Sequence, residues 1–207
     1  MTAQSAHLSA DWFERPSPVV AVDLLGCVLA RTVNGETVRG QIVETEAYEA
    51  GDPAMYAYQK KTQRNQTVFG RAGVAYVYRI YRQYHCFNIV TDRDGFASTI
   101  LIRAIALETY PTWITPKEKL AKVAAGPGKL CRALQIDETL RGEDIHPDSG
   151  LWVEGRSPQI SEQIAAGTLD ITQTTRIGLS KGADIPWRWY LSDSPAVSRK
   201  IVKKAVR

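Results

Sequence analysis

Asn34-Gly35 lies between two runs rich in β-branched residues, and this dipeptide is a strong local constraint on the fold. Asn-Gly suits a tight hairpin turn because both central positions need a positive φ. "CVLARTVNGETVRGQIVETEAY" is therefore expected to form an antiparallel hairpin. Side chains alternate along an extended chain, so the second arm should carry Ile42, Glu44, Glu46 and Tyr48 on one face. Val43, Thr45 and Ala47 belong on the other. Taken alone, two carboxylates and a tyrosine on one face read as solvated strand surface. The rest of the chain has to supply any other reason for them.

Three further β-rich runs follow: "GVAYVYRIY", "YHCFNIVT" and "ASTILIRAIA", the last two joined through "DRDG". "SPVVAVDLLG" begins with Ser17 as N-cap and Pro18 in the first turn, which predicts a helix to about Leu25. A second helix is expected over "KEKLAKVAA", broken at "GPGK" and restarting as "KLCRALQI". "GLWVEG" reads as a short strand and "SPQISEQIAAG" as a last helix. Residues 1–10 are expected to be a loose tail and residues 11–207 one domain. The fold class is α+β: one mixed domain with a curved, largely antiparallel sheet and surrounding helices.

The 207 residues suffice for one buried core. No apolar run is long enough to span a bilayer, and the start lacks a signal-peptide layout, so a soluble intracellular protein is expected. The three cysteines and three histidines are scattered, without a CxxC pair. That argues against a disulfide framework or a thiolate metal site, and neither metal nor cofactor is expected. A net charge of +4 is a mild pull toward polyanions.

Seven of the nine tyrosines fall between Tyr48 and Tyr84, among Lys60, Lys61, Arg64, Arg71, Arg79 and Arg82. Rings that stack on bases, interleaved with cations that neutralise phosphates, suit a nucleic-acid surface. Strand propensity alone accounts for Tyr76 and Tyr84. Tyr78 and Tyr81 have opposite parity, so both can serve one groove only if one of them lies at the strand's end. "AAGPGKLCRAL" is a candidate phosphate cradle with Lys129, or a plain helix-initiating loop; its spacing is not that of a nucleotide P-loop. The C-terminal "SRKIVKKAVR" carries five basic residues, read either as a solvated tail or as further phosphate contacts.

"QIVETEAYEAGDPAMYAY", "TQRNQTVFGRAGVAYVYRIYRQYHCFNIVT", "ILIRAIALE" and "GPGKLCRALQI" together resemble the alkyladenine (3-methyladenine) DNA glycosylase family. "RPSPVVAVDLLGCVLA" and "RIGLSKGADIPWRWYL" are similar to that family's flanking segments, so the resemblance runs from about residue 12 to 191. It implies a monofunctional base-excision enzyme acting as a monomer on double-stranded DNA that carries an alkylated or otherwise damaged purine. The compartment would be the bacterial cytoplasm or a eukaryotic nucleus.

Carried over by position, Glu46 matches the general base, and Tyr48 and Tyr78 match the aromatics that stack on the extruded base. Tyr81 matches the wedge left in the duplex, Asn88 a pocket asparagine, and Arg103 an arginine beside the catalytic water and the DNA backbone. Arg82 and Lys129 are candidate backbone contacts.

The sequence departs from the family pattern in three places. Tyr56, counted with Tyr48, Tyr78 and Asn88 among the pocket residues, replaces the histidine of "D-P-A-x-H", Arg82-Gln83 replaces Gly-Met after the wedge, and "TYPTWITPKEKLAKVAA" differs from the usual helix. Two other readings stay open: a glycosylase/lyase using a lysine such as Lys129, and a non-catalytic nucleic-acid-binding module.

Overall fold

The computed structural model describes residues 6–58 and 60–201. The hairpin forms as expected: β1 (Val28–Val33) and β2 (Glu36–Glu49) flank a turn in which Asn34 and Gly35 have φ of 50° and 83°. The next strands are β3 (Ala75–Ile80), β4 (Tyr84–Val90) and β5 (Ser98–Leu107). The last three are β6 (Leu151–Glu154), β7 (Ile171–Thr174) and β8 (Arg188–Leu191). All pair antiparallel in the order β3-β4-β5-β2-β1-β6, and β8 adds to β2 while β7 pairs with β8. The sheet curls into a half-barrel within a single mixed α+β domain, the class expected from the sequence.

β2 is the strand that organises this sheet. Its first half pairs with β1; beyond Gly40 it pairs with β5, and at Glu44–Glu46 it also pairs with β8. Its far half is therefore an interior strand, which removes the solvated-face reading: Glu44 and Glu46 are both 0% exposed. The β2–β5 register slips between Ile42 and Glu44 and again between Glu44 and Thr45, leaving Val43 and Arg103 without opposite partners. A bulge of this kind resets alternation. Ile42 accordingly joins Val43 and Ala47 in the main core rather than sharing a face with Glu44, a correction to simple alternation.

Helix α1 (Ser17–Asp23) packs on β2 and β5, where Thr45 Oγ1 donates to the Ala21 carbonyl at 2.8 Å. Two short helices, α2 (Leu120–Val123) and α3 (Pro127–Ala133), replace the expected longer pair. Proline suits the first helical position, so "GPGK" opens α3 instead of preceding it. Gly128 lies hard against the Tyr84 ring, which a Cβ there would meet at 2.9 Å. Helix α4 (Pro158–Ala165) forms in the expected segment, capped by Ser157, which accepts from the Ile160 amide; Ser17, the expected cap of α1, is instead its first residue and makes no cap hydrogen bond.

Residues 1–5 of the expected loose tail lie outside the described residues. Residues 6–10 are not loose, because the Leu8 amide donates to the Val153 carbonyl at 2.8 Å and His7 bridges to Glu154. On the sheet face opposite α1, a second, smaller apolar cluster forms under the loop joining β2 to β3. It includes Met55, Val68, Tyr76 and Val90, with Tyr48 and Tyr78 packed against it. Among the described residues no helix is long and apolar enough to cross a membrane.

Candidate active site

The second half of β2 carries three polar side chains to this smaller face. Glu46 Oε2 accepts from the Tyr48 hydroxyl at 2.7 Å, Oε1 accepts from the Ile177 amide at 2.8 Å, and Arg103 lies 3.2 Å from Oε1. Burying a carboxylate is costly unless such donors replace water. Here a guanidinium, a phenol and a backbone amide do so, and lone pairs remain for one more donor.

Glu44 is a structural neighbour with different partners. Its Oε1 accepts from Arg103 Nε at 2.8 Å, Arg188 Nε at 2.8 Å and Ser198 Oγ at 2.9 Å, and Oε2 accepts from the Ser198 amide at 2.7 Å. Burial alone would raise the Glu44 pKa, but Arg103, Arg188 and Ser198 outweigh it and hold the group below its ordinary value. Burial likewise works against the charge on Arg103, and Glu46 and Glu44 overcome it, so the guanidinium is held above its ordinary pKa. Arg103, the unpaired residue of the β5 slip, thus joins the two carboxylates.

Beyond Glu46 lies a small cavity of about 140 Å³, whose walls include Tyr48, Tyr56, Tyr76, Tyr78 and Asn88. The sequence had placed Tyr48, Tyr56, Tyr78 and Asn88 at one site, and the fold brings all four together. Cross-strand register explains it: Tyr76 faces Asn88 and Tyr78 faces Cys86 between β3 and β4, and Asn88 faces Leu101 on β5, itself opposite Glu46. Asn88 is fixed by donating to the Tyr76 carbonyl at 3.2 Å. Burial pushes the Tyr48 phenol up, reinforced by the Glu46 carboxylate, so it stays a neutral donor. Burial, then Cys86, does the same for Tyr78.

Tyr56 and Tyr78 are stacked, with centroids 6.0 Å apart and planes 8° from parallel. Arg176 covers one face of Tyr48 at 4.6 Å from the ring centroid. Arg176 is itself locked by the fully buried Asp52 carboxylate and donates to the Ala47 carbonyl at 2.9 Å.

Tyr81 and Arg82 occupy the turn between β3 and β4, resolving the parity conflict with Tyr78. Both are exposed, Tyr81 at 86%, and both have left-handed φ, 47° and 62°. Non-glycine residues pay for that conformation, and strain of this kind gathers at functional sites. Arg82 has no ion pair among the described residues, whereas Arg71 and Arg79 pair with Asp144 and Glu138. Lys129 lies apart from the aromatic cavity. It lines a separate one of about 430 Å³ beside the turn, and its amine donates to Glu118 at 2.6 Å and to the Lys122 carbonyl.

Sequence reasoning assigned no roles to Arg176, Ile177, Arg188 and Ser198. The first three fall in "RIGLSKGADIPWRWYL", a segment noted only for its resemblance, and Ser198 opens the basic C-terminal run. Residues 202–207 of that run lie outside the described residues.

The profile of the methylpurine-DNA glycosylase family matches residues 11–195. The chain is 50% identical over 205 residues to a protein of Trichodesmium erythraeum, covering 95% of this chain and 100% of the relative. It is 52% identical over 195 residues to a protein of Synechococcus sp. strain JA-3-3Ab, covering 91% and 97%. A third relative, from Carboxydothermus hydrogenoformans, is 40% identical over 197 residues, covering 93% and 99%. Each bears the name "Putative 3-methyladenine DNA glycosylase".

Proposed function

We propose a base-excision reaction for this chain, which belongs to the methylpurine-DNA glycosylase family. It extrudes a damaged purine from duplex DNA and hydrolyses the glycosidic bond with water activated by Glu46. The observation that carries this reading is a fully buried carboxylate tied through the Tyr48 hydroxyl to an aromatic-walled cavity. A non-catalytic binding module would have no use for it.

A base within the duplex is shielded, so the nucleotide must leave the stack at a cost of a few kcal/mol. Tyr81, exposed on a strained turn beside Arg82, is the side chain suited to fill the gap, and Arg82 is free to meet a phosphate. The extruded ring enters the cavity to stack on Tyr48 and Tyr78, with Asn88 at its edge. A ring held between two parallel faces needs about 7 Å, twice a ~3.5 Å contact. The 6.0 Å separation of Tyr56 and Tyr78 falls short of that, so a base stacked on Tyr78 displaces Tyr56, which is half-exposed and able to yield.

Water then attacks the anomeric carbon as the bond to the base breaks. Glu46 takes the water proton and stabilises the oxocarbenium-like sugar, and the base departs with the bonding electrons. Arg103 orients Glu46, and its buried guanidinium, held between Glu44 and Glu46, does not reach out to the DNA backbone as the resemblance implied. Substrates are 3-methyladenine and 7-methylguanine, cationic bases that depart easily, and more slowly hypoxanthine and ethenoadenine. Water is favoured over an amine because, among the described residues, no lysine lines the cavity, and the Lys129 amine is engaged by Glu118. The test is release of free base from duplexes with one defined lesion. Glu46→Gln should slow single-turnover release by at least about 100-fold with DNA affinity retained. Release within a few-fold of the parent would remove Glu46 from the chemistry, and borohydride trapping of a DNA adduct would favour the lyase route.

A further inference from the structure

The polar groups of the aromatic cavity are mostly committed. The Tyr48 hydroxyl donates to Glu46, the Tyr78 hydroxyl interacts with Cys86, and the Asn88 amide nitrogen donates to the Tyr76 carbonyl. The Tyr76 hydroxyl differs: the side chain is 2% exposed and lines the cavity, yet its oxygen is buried with no hydrogen-bond partner among the described residues. Buried hydroxyls are ordinarily satisfied, so an orphan in a cavity wall calls for an explanation. Burial pushes this phenol up to about 12, with Tyr56 adding to the effect. It is therefore neutral at pH 7 and can both donate and accept.

Register places this hydroxyl relative to the chemistry. Glu46, Leu101, Asn88 and Tyr76 form one cross-strand row over β2, β5, β4 and β3. Glu46 stands at one end of the row and Tyr76 at the other. Three interstrand steps of about 4.8 Å separate their backbones. A purine whose glycosidic bond is held at the Glu46 end directs its opposite edge, the one bearing the substituent at carbon 6, toward Tyr76.

We infer that Tyr76 is a specificity-determining residue whose hydroxyl hydrogen-bonds the carbon-6 substituent of the extruded purine. A group that is both donor and acceptor fits this task. It donates to the oxygen of a 6-oxopurine and accepts from the amine of a 6-aminopurine, so one side chain serves both classes. It disfavours a purine with no substituent there, which leaves the phenol unpaired. The inference rests on the proposed base-excision reaction.

The experiment compares single-turnover base release by the full-length protein and Tyr76→Phe, which keeps the ring and its packing. Duplexes contain either hypoxanthine or unsubstituted purine. The expected result is a loss of about tenfold on hypoxanthine and little change on unsubstituted purine, the scale of one buried hydrogen bond. Thermal stability should be unchanged or raised, because the removed hydroxyl has no partner among the described residues. Equal losses on both bases, no loss on either, or a fall in stability would each overturn the role. If the parent releases no base from any lesion duplex, including 3-methyladenine, it is the base-excision reading that fails. Release from lesion duplexes with unaltered selectivity in Tyr76→Phe sinks only the inference about Tyr76.

Discussion

Replacing Glu44 by glutamine tests whether the charge behind Glu46 is structural. The carboxylate accepts four hydrogen bonds, three at Oε1 and one at Oε2, two of them from buried guanidinium groups. An amide offers one acceptor oxygen. Aimed at the arginines, it turns its NH₂ on the Ser198 amide, donor against donor; reversed, it opposes Arg103 and Arg188. Removing one member of a buried ion pair costs about 3–5 kcal/mol. In a domain of this size each kcal/mol shifts Tm by about 2–4 °C, so Glu44→Gln should melt about 6–20 °C lower.

The pH dependence separates charge from shape. The folded pKa of Glu44 lies below its ordinary value, so its contribution is complete above the unfolded pKa of about 4.3. That contribution is lost as pH falls through the lower folded value, when the folded carboxylate is protonated. Glutamine does not titrate, so the gap between parent and variant should be widest near pH 7 and should close below about pH 4.3. Calorimetric melting from pH 7 downward, for both proteins, measures it. A Tm difference of less than about 2 °C at pH 7, or a gap that stays constant into acid, would refute the electrostatic account.

Tyr81→Ala should slow excision of a paired lesion more than of a mispaired one, since it removes the duplex plug but leaves Glu46; equal losses would contradict the wedge role. Arg82→Gly should preserve the left-handed turn while lowering the salt dependence of duplex affinity by up to about 0.9 in log–log slope, and an unchanged slope would make Arg82 a bystander. Tyr56→His should narrow the advantage of 3-methyladenine over hypoxanthine and introduce an ionisation between about pH 5.5 and 7.5, read from single-turnover rates across pH. Rates that do not respond would leave Tyr56 as packing.

The parts legible in the sequence were those governed by local rules. Asn34-Gly35 set the hairpin, period-two alternation grouped Glu44, Glu46 and Tyr48, and the segment of α4 was read as a helix. Alternation failed at Ile42 because a bulge depends on what lies opposite, and no residue of β2 announces that Arg103 will go unpaired on β5. The solvated-face reading failed for a related reason. Whether a glutamate is exposed or buried is decided by its partners, and those of Glu44 arrive from Arg188 and Ser198, more than 140 positions away. The resemblance fixed attention on the side chains that would touch the base, but Tyr76 looked like ordinary strand tyrosine until its hydroxyl proved to be buried without a partner among the described residues. A strand can bury two glutamates and still fold because distant cations and amides replace the water they lose. Those same contacts leave Glu46 dry, rigid and charge-balanced by Arg103. In the proposed reaction a carboxylate so held needs little reorganisation to act as the base, and desolvation of the site strengthens its interaction with a developing positive sugar. The burial that makes β2 expensive to fold is thus also what suits its end to glycosidic chemistry.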